Sequence, residues 1–161
     1  MPREASSREK ESRPSILIVG MGNTLMSDEG VGVHIVEAMR DRNLPENVEL
    51  LDGGTASADL LDSLGHRDKV IILDAVKGGN EPGTLYRFSR DDVALQSQKL
   101  LSLHQVSLLE TLAMADLLGC LPRQIVIFGI EPRKVDWGLE LSPEVAGVVP
   151  RVIELVLGEC Q

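Results

Sequence analysis

The chain has 161 residues, enough for one domain with a substantial core and too few for two domains of ordinary size. It carries 16 Lys and Arg residues against 25 Asp and Glu residues, a formal net charge of −9, and only 2% of its residues are aromatic. Nucleic-acid binding needs a basic surface, and single strands also need aromatic side chains to stack on, so this composition argues against a nucleic-acid or membrane-surface partner.

The N-terminal residues 1–14 are charged and polar, which predicts a flexible arm and no secretory signal. No apolar run approaches the length of a membrane span. Cys120 and Cys160 lack the spacing of a zinc site or a redox pair, so we expect two free thiols. We therefore expect a cytoplasmic monomer with a single domain over residues 15–161 and no membrane insertion.

In chain order, the first predicted element is residues 16–19, a short apolar run that stops at Gly20. Such runs are typical of strands buried on both faces. Residues 48–51, 70–73 and 125–130 have the same character, and a weaker run at 84–88 follows a segment rich in turn residues. These patterns predict a sheet of mainly parallel strands, in which the strand at 84–88 can be antiparallel.

Helices are predicted between these strands. After Ser27, apolar residues recur on one helical face as far as Met39, and a shorter helix is expected at 58–64. Ser102 and Gln105 form a capping box for a helix that ends near Gly119. Ser142 and Pro143 begin a last helix, with an apolar stripe formed by Val145, Val148, Val149, Val152 and Val156. Alternating strands and helices predict an α/β three-layer sandwich with helices on both faces of the sheet.

Ligands of open α/β sheets bind beyond the carboxyl ends of the strands. At these ends the sequence has the loop from Gly20 to Gly30, the segment 52–55, Asp74 and Glu131. The Gly20-Met21-Gly22 start does not form a dinucleotide fingerprint, because Leu25 stands at the third glycine position and the loop is too long for that turn. The sequence therefore predicts no nucleotide cofactor.

Glu29, Asp74 and His104 are the candidate chemical residues, since each is expected at a strand end or a helix start on the same rim. Two carboxylates and an imidazole suit a borderline ion such as zinc or nickel. A helix N-terminus would keep Glu29 ionised and His104 neutral, as ligands must be. The same residues can instead be ordinary partners of helix ends and turns, and Asp28 is the main rival of Glu29 for the first ligand position.

The segment Asp52-Gly53-Gly54-Thr55 also has two interpretations. Its glycines can form a tight turn that needs positive φ, with Asp52 as its anchor. Alternatively, they can provide a bare backbone that a bound peptide approaches closely.

Several of these segments, in the same order and at similar spacings, resemble the motifs of the hydrogenase maturation endopeptidases. The resemblance begins with Gly20-Met21-Gly22-Asn23 and continues through residues 27–32. It extends over nearly the whole chain from residue 16, and its later motifs are residues 52–55, 73–75, 102–105 and 141–143. Each motif alone is weakly specific, whereas the ordered set is specific.

The resemblance implies a twisted five-stranded sheet and an enzyme that cleaves one bond near the C-terminus of a nickel–iron hydrogenase large-subunit precursor. It implies that Glu29, Asp74 and His104 form the catalytic, metal-contacting site and that Gly53, Gly54 and Thr55 border the substrate cleft. The nickel is expected to arrive in the precursor. Asp74 can act as a general base, or the metal can lower the pKa of the attacking water.

Two other functions stay open on the sequence alone. The chain can be a maturation chaperone that binds nickel or the precursor without hydrolysis, or a small nucleotide-dependent enzyme. For the peptidase interpretation, the label aspartic protease is loose, because the sequence has no pair of DTG-like loops.

Overall fold

The computed structural model describes residues 14–54, 57–91, 110 and 112–161 of the chain. Its strands are β1 (Ile16–Met21), β2 (Val48–Gly54), β3 (Lys69–Ala75), β4 (Leu85–Ser89) and β5 (Gln124–Ile130). A 3-10 turn (Ser27–Gly30) precedes helix α1 (Val31–Met39), and the later helices are α2 (Ser57–Leu64), α3 (Pro143–Ala146) and α4 (Val149–Glu159). Residues 112–117 are also helical. Across these ranges no helix combines the length and apolar character needed to cross a membrane.

The described strands form one five-stranded sheet in the order β2-β1-β3-β5-β4. Strands β2, β1, β3 and β5 are parallel, and β4 runs antiparallel to β5 at the edge. A parallel strand needs a crossover of about a dozen residues or more, and the link at 76–84 is shorter than that, so β4 returns in the opposite direction. The predicted sheet, mainly parallel with one antiparallel strand, is confirmed.

Alternate side chains of each central strand enter two separate cores. Ile18 lies in a core with α1, α3 and α4, whereas the next residue, Val19, lies in a second core with α2 and the helical residues 112–117. Both side chains are fully buried. Because helices cover both faces of the sheet, successive strand residues must all be apolar, which explains the continuous apolar runs. The predicted three-layer arrangement is thereby confirmed.

Helix α1 packs directly on the carboxyl ends of β1 and β3, where glycine allows the backbones to touch. A Cβ atom at Gly32 would lie 2.1 Å from the carbonyl oxygen of Leu73 and 2.5 Å from that of Met21. A Cβ atom at Gly20 would lie 2.3 Å from the carbonyl oxygen of Gly32. These contacts fix the start of α1 against the end of β3, where Asp74 follows Leu73.

The C-terminal apolar stripe forms two helices where the sequence pattern predicts one. Pro143 occupies the first turn of α3, as expected, and α4 begins only at Val149. Pro150 has no N–H to donate to the carbonyl of Ala146, so the first helix cannot continue through it. Val145 and Val152 are nevertheless buried in the same core, so the stripe still covers the sheet.

The helix that was expected to open at Ser102 is described only from residue 110, so its capping box lies outside the described residues. Its predicted end near Gly119 is confirmed. Gly119 has a φ of 69°, and the Cys120 N–H donates to the carbonyl of Ala115 at 3.0 Å, as in a Schellman cap. Cys120 and Cys160 are both free thiols, as predicted.

Candidate active site at the carboxyl edge of the sheet

Asp74 lies at the carboxyl end of β3 and is only 2% exposed. Its Oδ1 accepts a hydrogen bond from the Ala75 N–H at 2.8 Å, and its Oδ2 atom is also buried. A charged group is rarely placed this deeply at the end of an apolar strand unless it has a structural or chemical role. Its position agrees with the one that the strand pattern predicts.

Glu29 lies in the 3-10 turn and is half-buried. The structure differs here from the prediction that Glu29 belongs to the first turn of the α-helix itself. Ser27 has a φ of 51°, a left-handed conformation that an α-helix excludes, and α1 starts only at Val31. The 3-10 turn contacts β3, so the backbone of Glu29 and the carboxyl group of Asp74 are placed at the same edge of the sheet.

Asp28 holds a distant loop in place with its carboxylate, so it is not the rival metal ligand that the sequence suggests. It is fully buried. Its Oδ2 accepts the N–H groups of Arg133 and Lys134, both at 2.9 Å, and the hydroxyl of Ser142 at 2.7 Å. Its Oδ1 accepts the Ser142 N–H at 2.7 Å. Burial raises the pKa of Asp28, but the hydrogen bonds from Lys134, Ser142 and Arg133 outweigh this effect and keep its pKa below the ordinary value.

The 131–142 loop is also attached through its backbone to the segment before Asp28. The Gly138 N–H donates to the Leu25 carbonyl, and the Gly138 carbonyl accepts from the Ser27 N–H, both at 2.9 Å. The Ser27 hydroxyl donates to the Asp136 carbonyl at 2.8 Å. Sequence analysis missed this attachment. The left-handed Ser27 and the close approach of Gly138 depend on contacts between residues that are more than one hundred positions apart.

Gly53 and Gly54 end β2, and each glycine meets a different requirement. Gly53 is the extra residue of a bulge between β1 and β2, and a Cβ atom there would lie 2.8 Å from the Met21 sulfur. Gly54 has a φ of 50°, and its N–H donates to the Asp52 Oδ1 at 2.9 Å. The predicted tight turn with Asp52 as its anchor is confirmed, and Thr55 lies outside the described residues.

A cavity of about 270 Å³ lies between this turn and the loop after β1. Its lining residues are Gly22, Asn23, Thr24, Leu25, Val33, Asp52 and Gly54. The Gly22 N–H donates to the Gly54 carbonyl at 2.8 Å, which joins the two walls. A Cβ atom at Gly22 would lie 2.0 Å from the Glu29 carbonyl oxygen, so the cavity is directly beside the Glu29 turn.

The sequence matches the family model described as hydrogenase maturation protease (HycI) over residues 33–159. This chain belongs to the hydrogenase maturation protease family. It is 40% identical over 144 residues to a hydrogenase expression/formation protein, HupD, of Rhizobium leguminosarum bv. viciae, with 88% of this chain and 71% of that protein covered. It is 38% identical over 144 residues to the hydrogenase 2 maturation protease of Escherichia coli, with 88% of each chain covered.

A solved structure shares the fold of this chain. The hydrogenase maturating endopeptidase HybD from E. coli superposes with a TM-score of 0.84 at 36% identity, covering 89% of this chain and 90% of that one. The chain is therefore a peptidase of the hydrolase class, and the family resemblance drawn from its sequence motifs is confirmed.

Glu131, directly after β5, is a third buried acid at this edge of the protease, besides Asp74 and Asp28. Its Oε2 accepts the Gly78 N–H at 2.8 Å, so its carboxylate supports the turn that leads from β3 to β4. Glu131 after β5 and Asp52 in β2 thus have the same task, since each carboxylate holds a turn.

The predicted third ligand, His104, lies outside the described residues. Within the ranges that the structure covers, no three His, Cys, Asp or Glu side chains are grouped closely enough to hold a metal ion. Of the three predicted ligands, the structure therefore describes Glu29 and Asp74, and the turn that contains Glu29 borders the cavity.

Proposed function

We propose that this protease removes the C-terminal extension of a nickel-loaded hydrogenase large-subunit precursor and uses the metal to recognise that precursor. The observation that carries the proposal is the joint placement of Glu29 and Asp74. The direct packing of α1 on β3 places the Glu29 turn and Asp74 at one edge of the sheet, and the cavity borders the Glu29 turn. Family membership supplies the peptidase activity.

In this proposal Glu29, Asp74 and His104 contact nickel that the precursor carries, and Gly53, Gly54 and Thr55 border the bound tail. Carboxylate oxygens and an imidazole nitrogen can complete a coordination shell that other ligands of the precursor have begun. The energy of that contact helps to position the cleaved bond, and a precursor without nickel loses it. This dependence would restrict cleavage to precursors that have already received their metal.

Asp74 has two possible roles in activating the attacking water. As a general base, its carboxylate would accept a proton from the water. As a ligand, it would hold the nickel, whose charge lowers the pKa of a bound water. Both roles need the buried carboxylate at the end of β3 and assign no task to Asp28, which already accepts four hydrogen bonds. A cytoplasmic location stays a prediction from the sequence.

Intact-mass spectrometry of the cognate precursor tests the proposal. The purified precursor, loaded with nickel or free of metal, is incubated with the protease and weighed before and after. We expect the nickel-loaded precursor to lose one defined C-terminal peptide and the metal-free precursor to keep its mass. If both forms are cleaved equally, recognition through nickel is wrong. If the nickel-loaded form binds but keeps its mass, the chain acts as a chaperone.

A further inference from the structure

Four large apolar side chains are exposed around the 131–142 loop. Leu25 is 51% exposed, Val135 36%, Trp137 75% and Leu139 68%. Trp137 and Leu139 flank Gly138, which pairs with Met26 in a short parallel bridge, so Leu25 and Trp137 are neighbours across that bridge. We call these four residues the apolar patch. Val135 and Leu139 stand two residues before and after Trp137 in the same loop. Exposed apolar side chains that are grouped on one segment in this way mark interaction surfaces.

The backbone beneath the apolar patch is held firmly. Two hydrogen bonds of Gly138 join it to Leu25 and Ser27, and a Cβ atom at Gly138 would lie 2.7 Å from the Ser27 hydroxyl oxygen. The buried Asp28 carboxylate binds the loop at both ends, near Arg133 and at Ser142. A partner would therefore meet side chains whose backbone is already ordered, which lowers the entropic cost of binding.

The apolar patch is continuous with the cavity of the candidate active site. Leu25 belongs to both, because it lines the cavity and is also half exposed beside Trp137. Glu29 lies four residues after Leu25. A polypeptide that occupies the cavity would thus reach the patch without leaving the surface of the protease.

We propose that the apolar patch docks an apolar segment of the precursor polypeptide close to the cleaved bond, with Trp137 as its main anchor. This inference rests on the proposed function, since it assigns a contact surface to the same substrate. Tryptophan is enriched among the few residues that carry most of the energy of an interface, and charged side chains such as Lys134 and Glu140 provide the polar rim that interfaces have.

Cleavage kinetics with Trp137→Ala test this docking role. Because Trp137 is mostly exposed, its removal should leave the fold intact, which circular dichroism and thermal unfolding verify. With the nickel-loaded precursor we expect KM to rise about 30-fold and kcat to stay within about twofold of the wild-type value. The matched control is Leu155→Ala, an apolar residue of α4 that is 42% exposed, and it should leave KM unchanged.

The outcomes separate the docking role from the proposed function. If the wild-type protein does not cleave the precursor, the proposed function fails. If it cleaves but the KM of Trp137→Ala stays within about twofold of wild type, the docking proposal is wrong. If KM is unchanged and sedimentation shows a wild-type dimer that Trp137→Ala dissociates, the patch binds a second copy of this chain instead.

The single tryptophan of the chain allows a direct measurement of contact. Biosynthetic replacement by 7-azatryptophan gives a fluorophore that can be excited selectively in the presence of the precursor's own tryptophans. We expect its emission to shift to the blue and its quenching by acrylamide to fall severalfold when the nickel-loaded precursor is added. Unchanged emission and quenching at a precursor concentration that saturates cleavage would show that Trp137 stays in water and would overturn the proposal.

Discussion

Asp28→Asn is the sharpest test of the assignment of neighbouring acids to different tasks. The substitution keeps the size of the side chain and replaces one carboxylate oxygen by an NH2 group, which cannot accept a hydrogen bond. It is least costly when the nitrogen takes the place of Oδ1, since only the bond from the Ser142 N–H is lost there. At Oδ2 three bonds would be lost.

The expected cost follows from these bonds. A hydrogen bond to an ionised acceptor contributes about 1.5–3 kcal/mol and one to a neutral acceptor about 0.5–1.5 kcal/mol, so the three remaining bonds lose about 1 kcal/mol each. The Ser142 N–H, left facing a donor, costs about 1–3 kcal/mol more. The 131–142 loop is largely exposed, so part of this loss is regained by hydration. We expect Asp28→Asn to lower the free energy of unfolding by about 3 kcal/mol.

Urea unfolding followed by circular dichroism measures this quantity, and thermal unfolding should show a midpoint about 6–12 °C lower for a chain of this size. The matched control is Glu29→Gln, one residue away and half-buried. We expect it to change stability by less than about 1 kcal/mol and to abolish cleavage. A stability loss below about 1 kcal/mol for Asp28→Asn would refute the structural role of Asp28. Full activity of Glu29→Gln would refute the role of Glu29 in cleavage.

The remaining predictions concern pH, catalysis and packing. The folded-state pKa of Asp28 is lowered, so its contribution to the free energy of unfolding is fully present above the unfolded pKa of about 3.9 and is lost as pH falls through the folded pKa. The difference in the free energy of unfolding between wild type and Asp28→Asn should therefore shrink below about pH 4. Asp74→Asn should reduce kcat by about 10²–10⁴-fold in a precursor-cleavage assay. The control is Glu131→Gln, at another buried acid, which keeps an oxygen for the Gly78 N–H and should remain active. An active Asp74→Asn would contradict the proposed site. Gly32→Ala should lower the free energy of unfolding, measured in urea, by about 3 kcal/mol because its Cβ would collide with the Leu73 carbonyl. Gly158→Ala in α4, which has open space around it, should instead raise the free energy of unfolding by about 0.5–1 kcal/mol.

The sequence by itself determined the architecture, because burial on both faces of the sheet leaves a local trace. Strand residues such as Ile18 and Val19 must both be apolar, and the apolar residues of α1, which covers the Ile18 face, recur every three to four residues. These signals depend only on neighbours in the chain. The ordered motifs around Glu29 and Asp74 were equally visible, and they were enough to identify the family.

Only the tertiary structure distinguished Asp28 from Glu29. The two acids are adjacent, and nothing local separates a residue that accepts four hydrogen bonds from a candidate ligand. The partners of Asp28 lie 105 to 114 positions further along the chain. The same is true of the apolar patch, where Trp137 is placed beside Leu25 by the bridge between Met26 and Gly138. Periodicity records which side of an element is buried, whereas the partner of a given side chain is decided by contacts between distant segments that form only when the chain folds.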